Sequence, residues 1–252
     1  MDEEFVAFSK NDGRERTTGI QHAPALLTTL PAPWLVFDPR MVDLPPFVRL
    51  HNEIISFCDF STPSRHELAL REAVIDEIRA CMLELFPTAT IEVFGSHLTG
   101  ILTPSSDIDL AMLNVPIVQD DALEPLFVLA DSIREKRLAS YCEVISNAKV
   151  PIVKLDHART RIAVDICCNN DSGLETGNLM RSFARKFPAM RPLTMVLKVF
   201  LAQRRLNGTY SGGIGSFLLC GMIASFLQMR CRQEKYREKP LTWCVAYPII
   251  NR

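Results

Sequence analysis

The first clear hydrophobic pattern is helical and covers the stretch STPSRHELALREAVIDEIRACMLELFP. Its apolar residues share one face at three- and four-residue spacing: Leu68, Ile75, Ile78, Met82 and Leu85. This spacing predicts an amphipathic helix. Ser64 with Glu67 three residues later has the form of a capping box, and Pro87 ends the pattern. The stretch from Pro46 to Phe60 predicts a shorter amphipathic helix before it.

The hydrophobic period changes from helical to alternating after Pro87. The runs ATIEVFG and DIDLAML predict two strands joined by the loop SHLTGILTPSS, and DALEPLFVLADSIREKRL predicts a helix. Three β-branched runs, YCEVIS, VPIVKLD and RIAVDICC, predict further strands. We therefore expect an α/β (α+β) fold in which helices pack on a small mixed sheet.

A second helical region follows the strands. NLMRSFARKF, MRPLTMVLKVFLAQRRLN and the apolar run from Ile214 predict three helices. The change from sheet to helix falls between Asn170 and Gly177. We expect a tail and proline-bearing strap over 1–44, an N-terminal helix over 45–62 that packs with the helical domain, a sheet-bearing domain over 63–176, and a partial helical domain over 177–252.

The amino-acid composition is typical of an ordinary globular protein. Of its 252 residues 48% are hydrophobic and 23% charged, and the net charge is −1, so any nucleic-acid contact depends on local clusters. The basic run RCRQEKYREK is such a cluster, although it has the composition of a solvated helix face as well. The run from Ile214 to Met229 is shorter than the roughly 20 residues of a membrane span and predicts a buried helix instead.

The cysteines and the N-terminus indicate a cytosolic or nuclear protein. The eight cysteines show no spacing that suits zinc, which favours reduced thiols. The N-terminal MDEEFVAFSKNDGRERTTG lacks the apolar core of a secretory signal.

The candidate chemistry lies in VFGSHLTGILTPSSDIDLAML. Asp107 and Asp109 are two residues apart in a strand-like run, so their side chains converge on one face. Asp165 stands between apolar residues in AVDIC and would join them from another strand. Buried carboxylates require counter-charge, either from lysine or arginine or from a divalent cation such as Mg²⁺. Two metal ions in such a site support phosphoryl or nucleotidyl transfer.

Gly95 and Ser96 sharpen this hypothesis. They end the first predicted strand, where a glycine lets backbone N–H groups approach a phosphate and a serine hydroxyl donates one more hydrogen bond. A strand ending in Gly-Ser, a loop, and Asp-x-Asp on the next strand form a composite signal for a phosphate and metal site.

These motifs resemble the DNA-polymerase-β-like nucleotidyltransferases. Within that superfamily the chain is most similar to the RNA-tailing branch, which holds the nuclear-surveillance poly(A) polymerases and the terminal uridylyltransferases. The similarity includes AKVPIVKL, VDICCNN and VLKVFLAQRRLNGTYSGGIGSF, and it spans residues 34–229. It implies that 63–176 is a nucleotidyltransferase catalytic domain and that 177–252 is part of the helical domain found in these enzymes.

The resemblance also implies roles for individual residues. Asp107 and Asp109 match the metal-holding acids, and Asp165 matches the third acid, which activates the RNA 3′-hydroxyl. The positions that match nucleotide contacts in the family are Gly95, Ser96, Asn178, Lys198, Ser216 and Phe217. Of these, Gly95, Ser96, Lys198 and Ser216 face the triphosphate, Asn178 lies near the ribose, and Phe217 stacks on the base. Read from the residues alone, Asn178 is equally a helix cap and Phe217 equally a core residue.

The function implied is template-independent addition of AMP from ATP to RNA 3′ ends with two Mg²⁺ or Mn²⁺ ions. A terminal uridylyltransferase using UTP is the alternative of the same class, and SGGIG favours the poly(A) side. The family's helical domain continues beyond SGGIGSF whereas this chain stops at Arg252, so a non-catalytic scaffold with the same fold stays open. The resemblance further implies an RNA-binding or helicase subunit as partner, a nuclear or cytoplasmic address, and no membrane.

Overall fold

The structure is a computed structural model that describes residues 32–35, 44–117, 122–209 and 212–235, with side chains as far as Cys231. The described part contains the helices α1 (Pro46–Phe60), α2 (Arg65–Leu85), α3 (Gly95–Thr99), α4 (Glu124–Glu135), α5 (Ser172–Lys186), α6 (Met190–Gln203) and α7 (Ser216–Lys235). Its strands are β1 (Thr90–Phe94), β2 (Ile108–Leu113), β3 (Ala139–Ile145), β4 (Ile152–His157) and β5 (Ala163–Cys168).

The five strands form one mixed sheet, in the order β1-β2-β5-β4-β3. β2 and β5 are parallel, and the other neighbouring pairs are antiparallel. The parallel pair requires a crossover, which α4, β3 and β4 provide. The expected α/β (α+β) fold with a small mixed sheet is confirmed.

One face of the sheet carries the first hydrophobic core. Alternate residues of β2, β4 and β5, among them Leu110, Leu155 and Ile166, point to this face. They pack against α2 and α4, which contribute Ile78 and Leu129. Strand alternation turns the residues between them to the opposite face, away from this core.

A second core joins α1, α5, α6 and α7. Its buried residues include Cys58, Met180, Met195 and Leu219, which come from these four helices, and Cys58 lies 4.0 Å from the carbonyl oxygen of Pro192. Ile101, from the loop between α3 and β2, is also part of it. That loop therefore links the sheet to the helical layer.

Several elements differ from the sequence-based expectation. The loop after β1 begins with the short helix α3. The Thr99 hydroxyl at the end of this helix donates a hydrogen bond to the Gly95 carbonyl at its start. α5 begins at Ser172 rather than near Asn178, since the Asn170 side chain accepts the Ser172 N–H. Asn178 is thus a mid-helix residue, and the cap interpretation is wrong.

The helix α7 is buried on one side only, which corrects the expectation of a buried helix. Leu219, Cys220, Ile223 and Ala224 face the second core. Its other side exposes large apolar residues: Phe217, Leu218, Met222, Phe226 and Met229. Within the described ranges, no helix has the length and hydrophobicity needed to span a bilayer.

Some expectations lie outside the described residues. These are the tail over 1–31, the strap over 36–43, and the segment 236–252, which includes the last four residues of the basic run RCRQEKYREK. Trp34, the expected anchor of the strap, is described and packs edge-on against Phe57 of α1, with ring centroids 4.9 Å apart.

The capping box predicted at the start of α2 is present, and it gives a stability prediction. The Ser64 hydroxyl accepts the Glu67 N–H at 3.2 Å, and the Glu67 carboxylate accepts the Ser64 N–H at 2.7 Å. Ser64→Ala removes one acceptor and should lower the free energy of unfolding by about 1 kcal/mol, measured by urea denaturation. Ser225→Ala, at an exposed position inside α7, is the control and should change it by less than about 0.5 kcal/mol. Equal effects of the two substitutions would contradict the cap.

Candidate active site

The three aspartates meet where β2 and β5 begin. Asp109 and Asp165 are direct register partners in the parallel pair β2/β5, and Asp107 stands just before β2. Because Ile108 and Leu110 point into the first core, Asp109 points to the opposite face of the sheet. The register thus places two acids side by side on one face, with a third at its edge.

Asp109 is the most perturbed of the three. Burial raises the pKa of Asp109 to about 7, with further contributions from the like charges of Asp107 and Asp165. Lys198 and the backbone N–H of Ser96, which donates to the carboxylate, act in the opposite direction without offsetting the rise. The described residues therefore leave this carboxylate short of positive charge near neutral pH.

Gly95 and Ser96 form a close turn over Asp109. Gly95 has a φ of +62°, and a Cβ placed on it would lie 1.8 Å from Asp109 Oδ2. Only glycine fits both that conformation and that contact. Next to it, the buried Ser96 hydroxyl has no hydrogen-bond partner among the described residues. An orphaned donor beside an undercompensated carboxylate is the arrangement expected of a ligand site.

Asp165 is paired with a lysine. Lys154, its register partner on β4, donates from Nζ to the two carboxylate oxygens at 3.2 and 3.4 Å. Burial raises the pKa of Asp165, and the charge of Lys154 is the main factor opposing that rise. Lys154 therefore favours the ionised form of Asp165.

Lys198 approaches the same region from α6. Its Nζ donates to the Ser106 hydroxyl at 2.9 Å and to the Ile101 carbonyl at 3.3 Å. Burial lowers the pKa of Lys198, and the charges of Asp107 and Asp109 oppose that effect. The Lys198 ammonium thus contacts the turn that precedes Asp107 and lies close to the aspartates.

The remaining predicted site residues lie on the surface of the helical layer. Asn178 is exposed on α5, and Ser216 and Phe217 are exposed at the start of α7, with 57% of Phe217 accessible. Over the described ranges, no hydrogen bond joins these three residues to the aspartates. Phe217 is not a core residue, so its ring is free to contact a ligand.

The donor chemistry fits a divalent cation held by two carboxylates. Across the described residues, no group of three or more histidine, cysteine or acidic side chains has the spacing of a metal site. Mg²⁺, however, usually takes one or two protein carboxylates and completes its shell with water and phosphate oxygens. Asp107 and Asp109 meet that requirement, and a cation between them would offset the burial and the like charges that raise the pKa of Asp109.

Two positively charged residues near the site, Lys154 and Arg71, were missed in the sequence analysis. Lys154 interrupts the apolar run VPIVKLD, and strand alternation puts it on the same face as Asp165 once the pairing is known. Arg71 stands on the buried stripe of α2, where an arginine is unusual, and its side chain is 2% exposed. The position of Arg71 on the apolar stripe of α2 was a signal that the sequence already contained. The contact of Lys154 with Asp165 could be recognised only once the strand register was known.

Comparison with known proteins finds a matching family and similar structures. The family model for the poly(A) RNA polymerase, mitochondrial-like, central palm domain matches residues 50–185. The chain is similar to the poly(A) RNA polymerase cid14 of Schizosaccharomyces pombe, with 36% identity over 72% of this chain and 27% of that protein. It is also similar to the inactive non-canonical poly(A) RNA polymerase protein Trf4-2 of Drosophila melanogaster, with 32% identity over 76% of this chain and 47% of that protein.

Among solved structures, the polymerase core of TRAMP, an RNA surveillance complex, is similar with a TM-score of 0.73. The identity is 30%, over 86% of this chain and 64% of that one. The chain spans only 27% to 31% of the length of the first three curated relatives that it matches.

The contact between Gly95 and Asp109 gives a prediction with a built-in control. Gly95→Ala should destabilise the protein more than Gly100→Ala, because Gly100 also has a positive φ (+75°) but nothing within 4 Å of an added Cβ. Gly100→Ala should cost about 1–2 kcal/mol from backbone strain alone. In urea denaturation the excess for Gly95→Ala should shrink when Asp109→Ala is added, since the 1.8 Å contact is then gone. Strictly additive effects would contradict the contact.

The raised pKa of Asp109 predicts an unusual pH dependence of stability in the presence of EDTA. A carboxyl with a higher pKa in the folded state stabilises the fold at low pH, and this contribution is lost as pH rises towards about 7. Asp109→Asn should therefore be more stable than the wild type at pH 8 but not at pH 4. The gain has a ceiling of about 4 kcal/mol, since each pH unit between the two pKa values is worth about 1.36 kcal/mol.

Urea denaturation at the two pH values measures this difference directly. Asp131→Asn is the matched control, because Asp131 is exposed and its ion pair within the described residues is with Arg134, one turn away on α4. In this control the free energy of unfolding should change between pH 4 and pH 8 by the same amount as in the wild type, within about 0.5 kcal/mol. An Asp109→Asn protein less stable than the wild type at pH 8 would overturn the assignment.

Proposed function

Since the chain belongs to the family of the mitochondrial-like poly(A) RNA polymerase central palm domain, we propose that it adds AMP from ATP to RNA 3′ ends without a template. The observation that carries the proposal is the group of Asp107, Asp109 and Asp165 under the Gly95-Ser96 turn. The RNA 3′-oxygen forms a bond to the α-phosphorus, the bond to the β-phosphate breaks, and pyrophosphate leaves.

Asp107 and Asp109 would hold Mg²⁺ or Mn²⁺, and Asp165 would complete the two-metal site. Polymerases of this fold generally use divalent metal ions, which neutralise charge on the triphosphate and lower the pKa of the attacking hydroxyl when bound. A cation beside Asp109 would also supply the positive charge that the described residues leave missing.

Asp165 accepts the proton of the RNA 3′-hydroxyl in this proposal. A carboxylate can accept a proton only when it is ionised, and Lys154 at 3.2 Å favours that form. Lys154 also fixes the orientation of the carboxylate, because it contacts both oxygens. The proton thus passes to a group that the sheet register holds next to Asp109.

The triphosphate would lie against the Gly95-Ser96 turn and Lys198. The Ser96 hydroxyl is buried without a partner and is available to donate to a phosphate oxygen. Lys198 adds positive charge against the charge that develops on the transferred group. Ser216 would contact the phosphates from α7, Asn178 the ribose, and the exposed ring of Phe217 the base.

Two alternatives remain testable. A terminal uridylyltransferase would transfer UMP from UTP by the same kind of reaction and differ in the base that it accepts. A non-catalytic scaffold is favoured by the similarity to a relative named as inactive, although this chain retains all three aspartates. We further propose an RNA-binding or helicase subunit as partner and a nuclear address, with the cytoplasm as alternative, by analogy with a polymerase core from an RNA surveillance complex.

Primer extension on a short labelled RNA tests the proposal. With each ribonucleotide in turn and Mg²⁺ or Mn²⁺, the wild-type chain should produce a ladder with ATP. Asp107→Ala should abolish it, with a loss of at least about 100-fold, since the charge that holds the cation is removed. Asp76→Ala is the control, because Asp76 is exposed on α2 and, in the part of the chain that the structure describes, forms its ion pair with Arg79; it should leave the ladder intact.

The outcomes separate the alternatives. A ladder with UTP in place of ATP would assign the protein to the uridylyl class. No ladder with any nucleotide, from a chain that is folded by circular dichroism, would overturn the enzymatic proposal in favour of the scaffold.

A further inference from the structure

Arg71 is a charged residue in a buried position on α2. Its side chain is 2% exposed, and the buried residues Val74, Ile75 and Ile78 follow it along the same helix. A guanidinium in such a place costs free energy unless hydrogen bonds compensate it. The hydrogen-bond partners of Arg71 therefore indicate its role in the structure.

The partners of Arg71 are two backbone carbonyls rather than a carboxylate. Its Nη2 donates to the Pro104 oxygen at 2.9 Å and to the Ser106 oxygen at 2.6 Å. These carbonyls belong to residues three and one before Asp107. The cation thus holds the backbone that leads into the first aspartate.

The turn it holds is closed by its own hydrogen bonds. The Ser106 N–H donates to the Thr103 carbonyl, and the Thr103 N–H donates to the Ser106 hydroxyl, both at 3.0 Å. The same hydroxyl accepts from Lys198 at 2.9 Å. With both lone pairs engaged, its proton can only point to the Thr103 hydroxyl, 2.9 Å away.

Ser106 is therefore held from both sides, by Arg71 on its carbonyl and by Lys198 on its hydroxyl. Arg71 belongs to a helix of the first core and Lys198 to a helix of the second. Asp107 follows directly, so these bonds fix the backbone from which its side chain extends. Burial lowers the pKa of Arg71, and the charges that oppose this effect are those of Glu67 and Asp107, which agrees with its proximity to the aspartate.

We infer that Arg71 is a positioning residue for the nucleotidyl-transfer site: by fixing the Pro104 and Ser106 carbonyls, it sets the orientation in which Asp107 binds a divalent cation. The inference rests on the proposed function only in taking Asp107 as a cation ligand. Groups that orient a ligand residue typically change metal affinity or activity by about 10- to 100-fold when they are removed.

The test measures Mn²⁺ binding to the nucleotide-free chain from the electron paramagnetic resonance signal of free Mn²⁺. Asp107→Asn first identifies the binding that belongs to this site. Arg71→Met, which keeps an unbranched side chain but has no hydrogen-bond donor, should weaken that binding about 10- to 100-fold. In primer extension it should lower kcat by a similar factor and leave KM for ATP within about threefold, since Arg71 contacts no predicted nucleotide ligand.

Two controls separate positioning from a general loss of stability. Arg79→Met makes the same substitution two turns further along α2, where the guanidinium pairs with Asp76 at the surface, and should bind Mn²⁺ like the wild type. Ser64→Ala removes the cap of the same helix and should lower stability without changing Mn²⁺ affinity. Arg71→Lys keeps the charge but ends one atom short of Nη2, so its affinity should fall between those of the wild type and Arg71→Met.

The outcomes are distinct. A folded Arg71→Met protein with wild-type Mn²⁺ affinity would overturn the inference. If Arg71→Met does not fold, a folded Arg71→Lys protein with wild-type affinity would do the same. Absence of any binding that depends on Asp107 in the wild type also overturns it. If Mn²⁺ binds and Arg71→Met weakens it, but the wild type incorporates no nucleotide, the proposed function fails while the positioning role stands.

Discussion

The burial of Asp109 next to two like charges is the constraint on which the rest of the structure depends. Three carboxylates near the start of the two neighbouring strands β2 and β5 repel one another, and the fold holds them there nonetheless. It does so with cations from three different elements: Lys154 from β4, Lys198 from α6 and Arg71 from α2. None of these cations directly contacts Asp109, whose pKa stays near 7. The protein thus compensates the surroundings of Asp109 and leaves the local field at this carboxylate favourable to a cation.

The loop between α3 and β2 joins the two halves of the molecule. Its start contributes Ile101 to the core of the helical layer, and its end carries Ser106 into the sheet. Arg191 adds a further link, because its Nε donates to the Gly100 carbonyl at 3.0 Å from α6. A loop bonded to both halves is sensitive to any movement between them. A movement between the two halves would therefore disturb the approach to Asp107 before it disturbed Asp165, whose strand is paired on both sides within the sheet.

Local patterns were sufficient to predict much of this molecule. Alternation and β-branched runs located the five strands of the described residues, and the capping box located the start of α2. The combination of Gly95-Ser96 with Asp107 and Asp109 pointed to residues that the structure brings together. The features that were missed depend on partners distant in sequence. Arg71 meets its carbonyls more than thirty residues later, and Lys154 reaches Asp165 through strand register. The exposed side of α7 was missed because a sixteen-residue apolar run does not reveal how many of its faces are covered.

The parallel pairing of β2 with β5 also governs how such a site can diverge during evolution. Asp109 and Asp165 are adjacent in space although α4, β3 and β4 separate them along the chain. Insertions in the turns of that intervening segment leave both strands in register. An insertion or deletion of one residue within β5, between Asp165 and the core residues that follow it, would turn either the acid or Ile166 to the wrong face. Length variation should therefore accumulate between the two halves of the site, while the strands that carry the acids change only by substitution.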